Sequence, residues 1–241
     1  MIEARALSKR FGAVTAVRDA SFAARDGEIT GILGPNGAGK STTLRMLYGI
    51  LAPDGGSAHI DELAVSDQPF AARARLGVLP HGAGLYNNLT ARENIRYFGA
   101  LQGLSSDRLD ARVAELCRVL EMREFIDRRA KGFSQGQRIK VALARALVHD
   151  PRNVILDEPT NGLDVMAIRN LRAMLIDLKA QGRCVLFSSH VMQEVGALCD
   201  RAVIIGRGTV LADATVASIR EGSSSLEEAF LKILDGAEVA P

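Results

Sequence analysis

The chain has no tryptophan, and aromatics make up only 5% of its 241 residues. Its core must therefore be mostly aliphatic. Cysteine is scarce as well: Cys117, Cys184 and Cys199 are odd in number, widely spaced and without a C-x-x-C pair. That pattern suggests neither a disulfide framework nor a cysteine zinc site, and reads as buried free thiols in a reducing compartment. There is little excess of either charge sign, with 30 Lys+Arg against 28 Asp+Glu and a net charge of +2. No basic footprint for nucleic acid follows, and no nucleic-acid partner is expected. No stretch approaches the roughly 18 apolar residues needed to cross a bilayer. Met1 to Phe11 carries Glu3, Arg5, Lys9 and Arg10 among its apolar residues, so no signal-peptide core is present there. If this chain works at a membrane, another polypeptide must do the crossing. Internal repeats are absent too, and the longest low-complexity tract is Ser223 to Ser225.

What is present is a chain with 47% hydrophobic residues, enough for one domain or one domain with a subdomain. Short apolar runs alternate with longer helical patterns, which predicts an α/β fold around a mostly parallel sheet. Glu28 to Leu33 reads as a strand and Gly39 to Tyr48 as the helix that follows it. Val154 to Leu156 and Cys184 to Phe187 are continuous apolar runs, expected of strands covered on both faces, and each leads into polar residues. From about Thr90 to Arg129 strand signals vanish. Thr90 and Glu93 form a capping-box pattern, and Leu109, Val113, Leu116 and Leu120 recur at helical spacing. This predicts a helical subdomain, about 82–132, inserted in a sheet domain spanning 1–221. The remainder, 222–241, is expected to be a C-terminal helix, Leu226 to Leu234, with a tail. Before it, a turn at Gly206 to Gly208 leads into a short strand ending at Leu211.

Gly34-Pro35-Asn36-Gly37-Ala38-Gly39-Lys40-Ser41 fits G-x-x-x-x-G-K-[ST] between a predicted strand and a predicted helix, the context that makes this pattern a P-loop. Glycines let successive backbone N–H groups turn around phosphate oxygens, and the helix N-terminus adds positive potential. Lys40 is placed to bridge the terminal phosphates, and Ser41 to offer its hydroxyl to Mg²⁺. Val154-Ile155-Leu156-Asp157-Glu158 is an apolar strand ending in two carboxylates, one suited to hold Mg²⁺ and the next to orient and deprotonate a water. Ser188-Ser189-His190 ends another apolar strand and brings an imidazole to the same sheet edge. His59 and His149 read as structural hydrogen-bonding groups.

With these motifs in place, the chain resembles the nucleotide-binding subunit of an ATP-binding cassette transporter over almost its whole length. The segment that narrows the resemblance is Phe133-Ser134-Gln135-Gly136-Gln137, similar to the family's signature, lying before the helical Arg138 to Val148. The resemblance implies a RecA-like P-loop core with an N-terminal antiparallel β part. It implies ATP and Mg²⁺ as cofactors, with Phe11 stacking on adenine and Gly34 to Ser41, continued by Thr42, cradling the phosphates. Asp157 and Glu158 match the metal-holding acid and the catalytic base, and His190 the switch histidine. Asn161-Gly162-Leu163-Asp164 resembles the D-loop, with Asp164 communicating between subunits. Ser134, Gly136 and Gln137 belong to the signature that meets the ATP of the opposite subunit. A head-to-tail pair with a second ATP-binding subunit, a copy of this chain or a sister subunit, is thereby implied, acting on an integral membrane permease from the cytoplasmic face of the membrane.

Two positions depart from the family pattern. His81 follows Leu76 to Pro80 where the family usually has glutamine, which makes it a candidate metal-facing residue of different reach. Gln135 replaces the signature's first glycine and adds bulk. Within the family, Gly84 to Asn94 and Leu226-Glu227-Glu228-Ala229-Phe230 look like the ATPase subunits of ABC-2-type exporters, including sodium- and drug-export systems. The competing functions are a soluble cassette ATPase acting on DNA, ribosomes or iron–sulfur assembly, and a regulatory ATP-binding module with little turnover. The first commonly carries a coiled-coil insertion, a second cassette or zinc-binding cysteines, none of which is in the sequence.

Overall fold

The computed structural model describes residues 1–82 and 84–239, so Ala83 of the helical segment and Ala240 and Pro241 of the expected tail lie outside it. The strands are β1 (Ile2–Phe11), β2 (Val14–Ala24), β3 (Ile29–Leu33), β4 (Gly55–Ile60), β5 (Leu63–Ala64), β6 (Leu76–Leu79), β7 (Asn153–Asp157), β8 (Cys184–Ser189), β9 (Arg201–Gly206) and β10 (Thr209–Thr215). The helices are α1 (Lys40–Leu47), α2 (Pro69–Ala74), α3 (Ala91–Leu101), α4 (Ser106–Val119), α5 (Gln135–Leu147), α6 (Val165–Ala180), α7 (Met192–Leu198), α8 (Val216–Arg220) and α9 (Leu226–Val239).

Two sheets result. The first runs β2-β1-β4-β5 and is antiparallel; the second runs β10-β9-β3-β8-β7-β6, parallel except for the β10 edge. The fold class expected from the sequence is thus the one observed. Every residue of β3, β7 and β8 is buried, as their continuous apolar runs require. Alternation along the strands splits the core in two. Val154, Leu156, Val185 and Phe187 face the helices, while Ile155, Cys184 and Leu186 face the antiparallel sheet. Phe187, 1% exposed, contributes about 2–3 kcal/mol at the usual value of burying such a side chain.

Between β6 and β7 the chain is helical, and α3 opens with the capping box read from the sequence: Thr90 Oγ1 accepts from Glu93 N–H at 3.1 Å, and Glu93 Oε2 accepts from Thr90 N–H at 2.7 Å. Asn94, fully buried, ties the preceding loop to this helix through Tyr86 N–H (3.0 Å) and the carbonyls of Tyr86 (3.1 Å) and Thr90 (2.9 Å). The cysteines are free, and burial pushes the Cys184 thiol up to about 12, which leaves it inert.

The C-terminal region differs from the sequence reading in length. The strand after Gly208 runs to Thr215 and not to Leu211, because Asp213 sits opposite Val203 on an edge strand and bonds Arg201 Nε at 2.6 Å. Its charge is paired across the ladder, so it does not end the strand. The last helix continues past Leu234 to Val239, with Gly236 inside it.

Candidate functional site

The strand order explains how distant motifs meet. β3, β8 and β7 are consecutive neighbours, with Leu33 opposite Ser189 and Asp157 opposite Ser188. The three following segments, 34–39, 190–191 and 158–164, therefore leave the sheet side by side at its carboxyl edge, where ligands sit in open parallel sheets.

The P-loop joins β3 to α1. Gly39 has φ +103°, and a Cβ there would lie 2.5 Å from the Ala16 carbonyl; a Cβ on Gly34 would lie 2.3 Å from that of Ile205. Only glycine fits either place. The helix beyond has no side-chain cap and no acid in its first turn. Its N-terminal N–H groups and dipole are thereby left for an anion. Lys40 Nζ donates to the carbonyls of Gly34 (2.7 Å) and Pro35 (3.2 Å) and lies 3.9 Å from Glu158 Oε1. Burial lowers its pKa, against the opposing pull of Glu158 and Asp157.

The two acids are built differently. Asp157 Oδ1 accepts from Ser188 Oγ at 2.6 Å and from Ser41 Oγ at 3.2 Å, whereas its Oδ2 is buried without a partner among the described residues. Glu158 has φ +52°. A left-handed backbone away from glycine costs about 1–2 kcal/mol. Ser188 Oγ, which also accepts from Glu158 N–H at 3.0 Å, helps to hold it. Glu158 Oε2 meets His190 Nδ1 at 2.9 Å, the imidazole being half exposed.

Pro35 to Thr42, Glu158, Asn161 and His190 line a cleft of about 510 Å³, together with Ala16 and His81. Lys40, Ser41, Glu158 and His190 are thus brought together as the sequence anticipated, and His81 stands on the cleft wall. Phe11 does not belong to that lining. It lies at the tip of the β1–β2 hairpin, 51% exposed, with Lys9 Nζ 5.9 Å from its ring centre.

Ser134, Gly136 and Gln137 are also outside the cleft of their own chain. Ser134 caps α5 by a capping box with Gln137 (3.2 and 3.1 Å), and no acid occupies that first turn. Asp164 caps α6 through Ala167 N–H at 2.8 Å. Gln135 packs on the loop that follows the acid pair: a Cβ on Gly162, at φ +80°, would lie 2.4 Å from Gln135 Cγ. Ser188, Thr160 and Glu194 are polar groups of this region to which the sequence reading gave no role. The signal available for the first was a hydroxyl at the end of an apolar run.

A second concavity, about 310 Å³, lies between the sheet domain and the helical segment and is lined by Ile50, Pro80, Phe98 and Arg145, among others. The Arg145 guanidinium lies 3.7 Å from the Phe98 ring centre. His149, read from the sequence as structural, also lines it, and burial lowers its pKa. Ile50 is 72% exposed, and Phe70 and Leu101 on the helices beside it are exposed as well. Large apolar side chains displayed around a groove mark a binding surface.

Comparison with known proteins agrees with this architecture. The ABC transporter family profile matches residues 17–161. The ABC transporter ATP-binding protein NatA of Bacillus subtilis (strain 168) is 45% identical over 213 residues, covering 88% of this chain and 87% of the relative. The Nod factor export ATP-binding protein I of Paraburkholderia xenovorans (strain LB400) is 40% identical over 212 residues, covering 88% of this chain and 70% of the relative. A solved ATP-binding subunit of an ABC transporter superposes with a TM-score of 0.91 at 31% identity, covering 97% of this chain and 99% of that one.

Proposed function

This chain belongs to the ABC transporter family as an ATP-binding subunit, and on that premise we propose that it hydrolyses Mg-ATP to drive an ABC-2-type exporter through a separate membrane permease. The observation that carries the hydrolysis reading is the convergence of Lys40, Ser41, Asp157, Glu158 and His190 at one edge of three adjacent strands. The similarity to a Nod factor export ATP-binding protein supports the direction of transport.

Each residue has a role its geometry suits. The backbone of Gly34 to Thr42 and the α1 N-terminus take the phosphates, and Lys40 leaves the loop carbonyls for the β- and γ-phosphates. Ser41 and Asp157 present hard oxygen donors side by side, and the partnerless Asp157 Oδ2 is an atom that a cation would satisfy. Among the described residues no cluster of three His, Cys, Asp or Glu could hold a metal alone. That fits Mg²⁺, which takes one or two protein oxygens and completes its shell with phosphate and water. When bound, the ion neutralises phosphate charge during transfer. His81 would reach it only through water, since imidazole is a poor Mg²⁺ donor. Glu158 orients and deprotonates the attacking water, while His190 holds Glu158 and reaches for the γ-phosphate. Phe11, swung onto an adenine ring, would bury the apolar face it now exposes.

A second ATP-binding subunit completes the site. Ser134 is exposed and, with Gly136, lies outside the cleft of its own chain, so their contact with a γ-phosphate requires another copy facing head to tail. Val165 and Met166, exposed just after Asp164, give that interface apolar area. The groove containing Phe98 and Arg145 is the surface offered to a cytoplasmic helix of the permease, and no helix among the described residues is long and apolar enough to cross a membrane itself. The chain would sit at the cytoplasmic face. Residues 1–221 form the cassette and 222–241 its C-terminal appendage.

Phosphate release from ATP by the purified chain tests the reading. Turnover should be present with Mg²⁺ and fall to background when EDTA removes the metal, returning on its readdition. Turnover that persists in EDTA would remove the metal-dependent mechanism.

A further inference from the structure

Glu194 is a carboxylate, 7% exposed, on a helix that contributes nothing to the lining of the nucleotide cleft. Its Oε2 accepts from Thr160 Oγ1 at 2.9 Å and from Ser189 Oγ at 3.1 Å, and Ser189 Oγ accepts in turn from Val191 N–H at 3.0 Å. Thr160 stands two residues after Glu158, and Ser189 immediately before His190. One buried oxygen therefore ties together the two segments whose side chains meet in the 2.9 Å contact between Glu158 Oε2 and His190 Nδ1.

A buried carboxylate is costly unless hydrogen bonds compensate it, so a residue that only filled this space would be apolar. What the carboxylate supplies here is geometry. Glu158 leaves its strand in a left-handed conformation, held on the strand side by Ser188. The outgoing side, Pro159 to Asn161, has no strand ladder, and Thr160 is its link to Glu194. We propose that Glu194 is a positioning residue for ATP hydrolysis, clasping Thr160 to Ser189 so that Glu158 and His190 keep the separation at which a water is oriented and deprotonated. The same clasp continues through Asn161 and Gly162 to Asp164, which places the clasped segment next to the expected subunit interface.

The proposal rests on the hydrolysis reading, and the experiment separates the two. Steady-state Mg-ATP turnover and thermal unfolding are measured on the full chain for wild type, Glu194→Ala, Glu194→Gln, Thr160→Val and the Glu194→Ala/Thr160→Val double variant. Glu194→Ala should lower kcat by about 10- to 100-fold, the cost of ångström-scale misplacement, with KM for ATP held within about threefold. Glu194→Gln, whose carboxamide oxygen still accepts from both hydroxyls, should recover kcat to within about threefold of wild type. Thr160→Val should lower kcat alone, and the double variant should be no worse than Glu194→Ala, as expected of two ends of one clasp. Unchanged kcat in Glu194→Ala would overturn the proposal. So would a parallel loss of kcat, ATP affinity and thermal stability that Gln does not rescue, because that is the pattern of a purely structural group. If wild type itself shows no turnover, the hydrolysis reading falls first and takes the clasp with it.

Discussion

Glu158→Gln should bind ATP with wild-type affinity and lose about 10²- to 10⁴-fold in kcat, the usual contribution of a general base. The substitution keeps the shape of the side chain and an acceptor oxygen for His190, at 2.9 Å in the native chain, but removes the basicity needed to take a proton from water. It keeps in place the groups that bind phosphate, namely the P-loop backbone, Lys40 and the Ser41–Asp157 pair, and takes from Lys40 only a carboxylate charge 3.9 Å away. The Glu158 backbone, at φ +52° and held by Ser188, has no reason to relax, because neither feature depends on the carboxylate. Single-turnover phosphate release alongside nucleotide-binding titration separates the two effects. Turnover equal to wild type would remove Glu158 from the base role and leave His190 as the remaining group at that edge.

Lys40→Met should have the opposite profile: weakened nucleotide binding with little harm to the empty protein. The lysine ammonium makes charge-assisted bonds to the terminal phosphates, each worth about 1.5–3 kcal/mol. Losing two such bonds lowers affinity by roughly 10²-fold or more. ATP at about 100 times its dissociation constant stabilises wild type by about 2.7 kcal/mol, and most of that thermal shift should vanish in the variant at the same ATP concentration. Without nucleotide the sign reverses. Burial lowers the Lys40 pKa despite the attraction of Glu158 and Asp157, so folding disfavours its charged form. The unfolded chain then holds the proton more tightly, and the stability cost is fully present below the lowered folded value. It shrinks as pH rises through the window up to 10.5 and is gone above it. Methionine carries no such cost. The empty variant should unfold at or above the wild-type temperature at neutral pH, with the difference narrowing toward alkaline pH. A large fall in its melting temperature would mean that the bonds from Lys40 Nζ to Gly34 and Pro35 hold the loop together in the resting state.

What could be read from the sequence was local. A buried strand, a glycine-rich turn and a helix are adjacent in the chain, so the P-loop is visible as a pattern, and the acid pair and His190 are visible because each ends an apolar run. The capping boxes at Thr90 and Ser134 involve residues three apart; the sequence reading named the first, and the second was equally within reach. The groups that remained hidden depend on strand order. Ser188 bonds Asp157 and Thr160 bonds Glu194 across separations of 31 and 34 residues, and these meet only because β8 lies between β3 and β7. Asp213 concealed the full length of β10 because its partner Arg201 lies on the neighbouring strand. His149 looked like an ordinary structural histidine until α3 and α5 placed Phe98 and Arg145 beside it around one groove. Phe11 is exposed at its hairpin tip, set there by the short turn between β1 and β2, and no motif encodes that it stands outside the cleft lining.

The coupling of this site to a membrane permease is tested most directly by capturing tagged Glu158→Gln protein with Mg-ATP from gently solubilised membranes of its native host, then identifying by mass spectrometry what co-purifies. An integral membrane protein with several spans should be recovered in near-stoichiometric yield, and Arg145→Glu, which reverses the charge in the groove, should lose it while still binding ATP. Recovery only of ribosomes, nucleic acid or assembly factors would contradict the transporter account and assign the same ATPase site to a soluble machine.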